Sequence, residues 1–365
     1  MIVKFNTILI LFLGLFITVS AQHEEEVAEK ELSLHVDNRN FFRNNEFFSD
    51  LTSGYTLLGF HITPTVKYQV KDKLTVKGGL HLLKYAGRED FNKVDPYFSL
   101  RYHFNPAFSM TLGSYSVKDR HRMINPLFSV ERKINAYVQN GLNFLYDNEK
   151  FYGNLWLDWD QFIYRNDSFR EKFTIGGAFN QKLLSNESNV NLSIPLEFLL
   201  RHKGGQINES ELPTSSVFNY ASGVNLDYTF AKRFIRKVGI SFISMGYKDL
   251  SHKNIRLYKN GTALYPVAEV ESQFSRIKLG YWDGQKFYAP LGHPMFQNIA
   301  HDDPMHGKKN HRMITADFRY KRQLLNGVDI CVTWENYVDV ISGDWNYTYA
   351  LSVSFKEDFF LKKLP

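Results

Sequence analysis

Cysteine is nearly absent from this chain of 365 residues. The single Cys331 excludes an intramolecular disulfide framework. Long apolar runs are also scarce: past the first residues, no stretch approaches the roughly 20 apolar residues that a membrane-spanning helix needs. The mean hydropathy of −0.33 would ordinarily indicate a soluble protein. The sequence also lacks a glycine-rich phosphate loop, a nucleophile elbow and an established metal-ligand spacing.

The first residues predict export. Lys4 is followed by an apolar run at 8–17 and then by Val19-Ser20-Ala21, small residues of the kind that signal peptidase reads. We predict a signal peptide at 1–21, a periplasmic segment at 22–30, an outer-membrane barrel at 31–356 and a periplasmic tail at 357–365. An N-terminal membrane anchor is the alternative, but an apolar run of roughly ten residues is too short to favour it.

Between Thr56 and Val70, apolar residues alternate with small, polar or charged residues. A period of two over fifteen residues is typical of a strand with one apolar and one polar face, and it is longer than a globular strand of about five or six residues. The 21 Tyr and 31 Phe residues suit the aromatic girdles of a membrane barrel. The predicted fold is an all-β transmembrane barrel, antiparallel and up-and-down.

Connections between the predicted strands alternate in length, as they do in outer-membrane barrels. Short ones fall near 71, 105, 148, 186, 232 and 325, and longer ones near 45, 90, 125, 167, 209, 280 and 341. This spacing predicts about 14 strands, within a range of 12–16, with long extracellular loops and both termini in the periplasm. Residues 248–310 are assigned to one external loop, although a hairpin turn at 259–262 would raise the count to sixteen.

Two resemblances place the chain in the outer membrane. The alternation from Trp345 to Phe355 resembles the C-terminal signal strand of Gram-negative outer-membrane barrels, which implies recognition by the barrel assembly machinery. The segments 121–128 (HRMINPLF) and 289–297 (APLGHPMFQ) resemble external loops of an uncharacterised, porin-like outer-membrane barrel family of the Bacteroidota. That second resemblance implies fold and localisation but no catalytic residue.

Strand parity puts charged residues of both signs on the inward face. The predicted lumen-lining or binding residues are Lys67, Arg101, Glu197, Arg201, Asp317, Arg319 and Glu335. They would make either a transverse field in a pore or an ion-paired network that fills the barrel, with Glu197–Arg201 and Asp317–Arg319 as candidate pairs. Apolar loop segments are expected to fold inward and constrict the lumen at Pro126, Phe128, Pro294 and Phe296.

The main functional hypothesis is a porin-like channel for small polar solutes. The alternative is a non-conducting structural barrel whose loops dock a surface lipoprotein or glycan. Outer-membrane lipid and lipopolysaccharide are expected partners, with loop cations such as Arg122 and Lys308 as candidate ligands for phosphate. We expect no nucleic acid, no cofactor and no metal.

An enzyme is not expected. A lipid-modifying enzyme would need a nucleophile and a base within hydrogen-bond reach on the lipid-facing surface. The outward faces of the predicted strands carry few polar groups, namely Asn140, Ser222 and Ser114. The one conceivable pairing joins Ser114 to His121.

Overall fold

A computed structural model describes residues 30–117, 121–184, 189–205, 207, 209–231 and 233–364. The predicted signal peptide and almost all of the predicted periplasmic segment lie outside these residues. Sixteen antiparallel strands form one closed sheet. They are β1 (Lys30–Ser49), β2 (Thr52–Val70), β3 (Leu74–Tyr85), β4 (Lys93–His103), β5 (Phe108–Ser116), β6 (Val138–Asp147), β7 (Phe151–Gln161), β8 (Glu171–Lys182), β9 (Val190–Gly204), β10 (Ser215–Thr229), β11 (Ile235–Asp249), β12 (Asn260–Ser272), β13 (Ser275–Gln285), β14 (Asn310–Leu325), β15 (Val328–Asp339) and β16 (Trp345–Leu364).

Each strand pairs with its neighbours in sequence, and β1 closes the barrel against β16. The connections in the described part of the chain include two short helical turns, α1 (Arg132–Asn135) and a 3₁₀ turn at Pro294–Phe296. In the ranges given above, no helix has the length and apolar character to cross a membrane.

The two ends of the barrel differ in the length of their connections. At one end the strands are joined by short segments, such as 71–73, 273–274 and 326–327, whereas the other end carries the longest segments, 117–137 and 286–309. Single-chain outer-membrane barrels keep short turns in the periplasm and long loops outside. We therefore assign the long-loop end to the cell exterior.

The prediction of about 14 strands is wrong, and sixteen, the alternative, is the observed number. Strands β12 and β13 lie within 248–310, which was expected to be a single loop. The predicted hairpin turn at 259–262 is also displaced: Asn260 begins β12 opposite Lys248, and the turn falls at 273–274. The alternation was hidden because Tyr265 and Trp282 turn large apolar side chains inward, where they pack 5.8 Å apart.

Two further boundaries are corrected. β1 runs for 20 residues to Ser49, so the long connection expected near 45 is a strand, and only Asp50 and Leu51 join it to β2. The predicted tail at 357–365 continues β16 as far as Leu364, which pairs with Lys30. The pairing of the start of β1 with the end of β16 extends the closure of the barrel at its periplasmic end.

The alternation in β2 separates lipid from lumen as expected. Leu58 and Val66 are each 49% exposed on the outer surface, whereas His61, Thr63 and Thr65 are buried inside. The apolar side chains that are exposed on the outer surface of β2 contact the lipid hydrocarbon in the membrane.

Replacing Phe60 with arginine should therefore destabilise the barrel far more than replacing Thr63 with arginine. A cation on the lipid face costs roughly 2–4 kcal/mol near the bilayer midplane, whereas a lumen position has polar neighbours. The measurement is the urea midpoint of heat-modifiable folding in lipid vesicles. Equal shifts for the two variants would contradict this assignment of faces.

Two inward-folded loops fill much of the lumen. We call 121–137 and 286–309 the plug segments. Leu127 and Phe128 from the first and Phe287 and Met295 from the second are almost completely buried in one apolar cluster with the wall residue Trp282. Backbone hydrogen bonds join the two segments, from Ser129 N–H to Leu291 O (2.8 Å) and from His293 N–H to Asn125 O (3.0 Å). The plug is therefore a packed second layer of the structure.

Candidate active site

A serine and a histidine are hydrogen-bonded to each other on the outer surface of the barrel. Ser216 lies on β10 and His202 on β9, directly opposite each other in the ladder. The Oγ of Ser216 is 2.8 Å from Nδ1 of His202. Each strand alternates, so Ser216 shares its face with the exposed Tyr220, and His202 shares its face with the exposed Leu196. The pair consequently faces lipid and not the lumen.

Strand β8 contributes an acidic residue and an aromatic support on the same face. Phe173 is the ladder partner of His202, and their rings lie 4.9 Å apart. Glu171 is paired with Gly204, and Nε2 of His202 lies in the space that a Cβ at Gly204 would occupy. The carboxylate of Glu171 interacts electrostatically with the His202 ring. Serine, histidine and glutamate thus follow one another across three adjacent strands.

The backbone around Ser216 is braced by the next loop. Ser216 N–H donates to Oγ of Ser251 (3.0 Å), and Leu250 N–H donates to the carbonyl oxygen of Ser216 (2.8 Å). On the lumen side, Arg256 donates both to Oγ of Ser215 (2.5 Å) and to the carboxylate of Asp249 (3.0 Å). These bonds hold the start of β10 in place and fix the direction in which Ser216 points.

The location of the site determines what can reach it. His202 and Glu171 lie at the ends of β9 and β8 that join long connections, and Ser216 is the second residue of β10 at the same end. With the long-loop end assigned to the cell exterior, the site lies on the side of the outer leaflet. A hydroxyl with an imidazole base within hydrogen-bond distance, and a carboxylate on the next strand, are the kinds of group used for acyl transfer from esters.

A second polar cluster lies inside the barrel and is closed to solvent. Arg43 on β1 donates to Glu131 of the plug (Nε to Oε1, 2.9 Å) and to Glu335 on β15 (Nη2 to Oε2, 2.8 Å). Tyr55 and Asn45 donate to Glu131 as well, at 2.5 and 2.8 Å. Burial alone would raise the pKa of the Glu131 carboxyl, but Arg43, His293 and the hydrogen bonds from Tyr55 and Asn45 together outweigh burial and hold that pKa below its usual value. This cluster ties the plug to the wall.

His121, the first residue of the plug segment 121–137, anchors that segment to the barrel wall. Its ring stacks on Trp156 at 3.8 Å, and its two nitrogens lie 2.5 Å from Oδ1 of Asn154 and 2.8 Å from Oε1 of Gln139. The expected pairing with Ser114 is wrong: His121 is buried in the lumen, whereas Ser114 bonds Asn140 on the neighbouring strand β6. Burial lowers the pKa of His121 to about 4.

Acidification should therefore loosen the plug. Because the folded pKa of His121 is about 4 against an ordinary value of 6.5, the neutral ring is the form that the plug holds. Between pH 6.5 and 4 the released segment binds a proton that the packed segment does not bind. The free energy that favours the packed plug therefore falls by about 3 kcal/mol once the pH is below 4. The fluorescence of Trp156 should report the loosening, and a His121→Gln variant should lack the transition. An identical pH profile in both proteins would contradict this prediction.

The predicted lumen residues do lie on the wall, but their partners differ from those expected. Lys67 pairs with Asp358 at 2.9 Å, and Glu335 binds Arg43. Arg101 donates to Oγ1 of Thr111 at 3.0 Å.

Neither of the predicted intrastrand pairs is formed. Glu197 accepts the N–H of Ile124 from the plug at 3.1 Å, and Arg201 pairs with Asp160 on β7. Asp317 lies 3.7 Å from Arg276 on β13, one of the two strands within the expected loop at 248–310. Arg319 is opposite Arg276 and Thr333 in the ladder.

The predicted constriction residues all lie in the plug segments. Phe128 and Phe296 are almost completely buried, Pro294 starts the 3₁₀ turn, and Pro126 packs against Gly292, where a Cβ would collide with its carbonyl oxygen. Whether they constrict a conducting channel stays a prediction.

Of the loop cations proposed for lipopolysaccharide, Arg122 is on the plug and binds Asp147 at 2.5 Å, and Lys308 binds Asp50 at 2.8 Å.

A family model described as lipid A 3'-O-deacylase-type matches residues 21–364. The chain belongs to this family. No curated protein matches it. The expectation that the chain is not an enzyme was wrong, because the lipid A 3'-O-deacylase-type family is an enzyme family.

Solved structures similar to this member of the deacylase-type family share its fold. A loop L8 deletion mutant of OmpT, an outer membrane protein of Vibrio cholerae, is 8% identical, with a TM-score of 0.51 over 90% of this chain and 100% of that one. The anion-selective porin from Comamonas acidovorans is 11% identical, with a TM-score of 0.49 over 90% of this chain and 100% of that one. The likeness to the OmpT mutant confirms the predicted barrel fold and agrees with the predicted outer-membrane location, while the Bacteroidota assignment stays a prediction.

The serine–histidine pair of this deacylase-type barrel escaped the sequence analysis because the predicted strands were too short. The alternation in the sequence predicts strands at 190–201 and 218–230, so the first ends one residue before His202 and the second begins two residues after Ser216. Continuing the alternation by those few positions extends the outward rows Leu196-Phe198-Leu200 and Phe218-Tyr220 to polar residues. Two polar side chains that end apolar rows on neighbouring strands were the available signal.

Proposed function

We propose that this protein is an outer-membrane esterase that removes an acyl chain from a lipid A-type glycolipid of the outer leaflet. The observation that carries the proposal is the Ser216–His202 hydrogen bond on the lipid-facing surface at the long-loop end. Family membership supports the substrate class, since lipid A carries ester-linked acyl chains in that leaflet. The assigned roles are nucleophile for Ser216, general base for His202 and orienting carboxylate for Glu171.

The chemistry follows from these roles. Ser216 Oγ attacks the ester carbonyl while Nδ1 of His202 takes the hydroxyl proton. The tetrahedral intermediate breaks the bond to the sugar oxygen, which leaves as a hydroxyl after receiving that proton from His202. Water, deprotonated by the same ring, then attacks the acyl-serine, so a free fatty acid departs and Ser216 is restored. Glu171 stabilises the imidazolium in both halves of the reaction.

The surface around the pair suits an acyl chain. Leu250, whose N–H donates to Ser216 O, is 47% exposed, and Leu212 in the connection between β9 and β10 is 60% exposed. Leu196 and Tyr220, about half exposed, continue the outward faces of β9 and β10 farther from the pair. A substrate held in the bilayer therefore keeps its chains against apolar protein while its ester linkage meets Ser216. The enzyme needs no aqueous pocket for the acyl group, because the lipid phase already holds it.

The packed lumen does not favour the channel hypothesis. Phe128, Trp282, Phe287 and Phe296 fill space that a solute pathway would require. An enzyme that works on its outer face has no need of a pore, and a filled barrel gives that face rigid support.

The experiment is a comparison of lipid A from cells of a lipid A-producing host with and without the protein. Mass spectrometry should show a species lighter by one acyl chain, together with a matching free fatty acid. A Ser222→Ala variant should behave as the wild type, because Ser222 lies on the same face of β10 but bonds only the carbonyl of Pro195. Unchanged lipid A in cells that display the folded barrel would contradict the proposal.

A further inference from the structure

A polar cavity lies in the lumen beside the plug, away from the proposed active site. It has a volume of about 80 Å³ and is bounded by strands β1 to β5, by β16 and by Tyr137. We call it the vestibule. Arg101, three residues before the turn that begins at 104, and Lys356 on β16 line it and are nevertheless exposed. Their exposure indicates that the vestibule opens to the periplasmic end.

Positive charge dominates the vestibule. Lys77, Arg101 and Lys356 line it from three different strands, against the single carboxylate of Asp37. That carboxylate is already engaged, since it accepts from the Tyr137 hydroxyl at 2.7 Å and lies 3.5 Å from Lys356. Among the residues that the structure describes, Lys77 and Arg101 have no carboxylate within 4.0 Å.

The vestibule also presents hydroxyl groups. Thr63, Thr75 and Ser99 line it, and Thr65 adds an Oγ1 that is fully buried and has no hydrogen-bond partner in the described structure. A buried hydroxyl without a partner is unfavourable, and so is a partly buried cation such as Lys77 without a counterion. One oxyanion placed between them would satisfy both at once.

We propose that the vestibule is a binding site for a phosphate group that enters from the periplasm. Lysine and arginine together with hydroxyl donors are the groups that recognise tetrahedral oxyanions through charge-assisted hydrogen bonds. Since one water needs roughly 10–15 Å³ of such space, the vestibule takes a group of only a few heavy atoms. Inorganic phosphate fits within it, and a phosphate monoester would extend its organic part toward the periplasmic opening. The site lies inside the barrel and is separate from the proposed esterase chemistry on the outer face.

The test is ³¹P NMR line broadening of inorganic phosphate by the full-length protein folded in detergent micelles. We expect saturable binding that Lys77→Met and Arg101→Met each weaken by about tenfold, which corresponds to one charge-assisted hydrogen bond. Lys84→Met is the matched control, because Lys84 is on the outward face of β3, the strand that carries Lys77, and donates to Glu89 O. Heat-modifiable mobility establishes that each variant is folded.

Glycerol 3-phosphate in a second titration distinguishes the source of the phosphate. Binding of both compounds supports recognition of a terminal phosphate group, and binding of inorganic phosphate alone supports a site for the free ion. No saturable binding by the wild type would overturn the proposal. Equal weakening by Lys84→Met would overturn it too, because the interaction would then follow net charge and not the vestibule.

Discussion

Ser216→Ala should abolish acyl-ester hydrolysis, with a loss of at least about 10³-fold, because it removes the hydroxyl that is hydrogen-bonded to the His202 base. His202→Gln should lose as much, since it removes the base that takes the serine proton. Both variants should fold normally, as the two side chains lie on the outer surface and not in the plug. The assay is release of fatty acid from purified lipid A in mixed micelles.

Matched variants separate catalysis from damage to the barrel. Ser222→Ala and Ser114→Ala remove outward-facing hydroxyls elsewhere and should retain full activity. Gly204→Ala tests positioning, because its new methyl group would push the His202 ring aside while leaving the ladder intact. It should lower kcat more than it changes KM. Full activity in Ser216→Ala would remove Ser216 from the mechanism.

Arg43→Met should release the plug from the wall. Arg43 is 3% exposed and is the shared partner of Glu131 and Glu335. Its loss leaves two buried carboxylates without their cation, and breaking a buried pair in this way costs roughly 3–5 kcal/mol. The expected result is faster hydrogen exchange and protease cleavage within 121–137, while the barrel keeps its heat-modifiable mobility.

Two controls give this prediction its specificity. Arg122→Met in the same plug breaks an ion pair that is about half exposed, and such a pair contributes no more than about 1 kcal/mol. Adding Glu131→Gln and Glu335→Gln to Arg43→Met removes the uncompensated charges and should restore part of the protection. If Arg43→Met exchanged no faster than Arg122→Met, the cluster would not be what holds the plug.

Sequence periodicity predicts the parts of this fold where one strand face meets lipid and the other meets water. β2 and most of β16 satisfy that condition, and both were recognised from alternation alone. The outer half of β1 reverses it, because Phe41 points into the lumen while Asn38 and Asn40 lie outside. β12 and β13 blur it through Tyr265 and Trp282, which pack against the plug residue Phe296. Where the plug fills the lumen, inward-facing residues are apolar too, so the apolar–polar alternation that identifies barrel strands is lost.

The candidate site is still harder to read from sequence. Ser216 and His202 are fourteen positions apart and become neighbours only through the register of β9 and β10. Glu171 joins them from a third strand whose register is set by another loop. Local pattern assigns each residue to a face, but the ladder alone decides which residues are opposite one another. The plug network around Arg43 likewise joins residues 88 and 292 positions apart.

Covalent trapping of the nucleophile tests the central claim most directly. A phosphonate ester bearing an acyl-like chain, presented in micelles, reacts with a serine that has an adjacent base and stays attached to it. Mass spectrometry of the digested wild-type protein should place one adduct on Ser216, and His202→Gln should prevent its formation. An adduct on any other residue, or none in a preparation that releases fatty acid from lipid A, would contradict an active site on the outer face at Ser216.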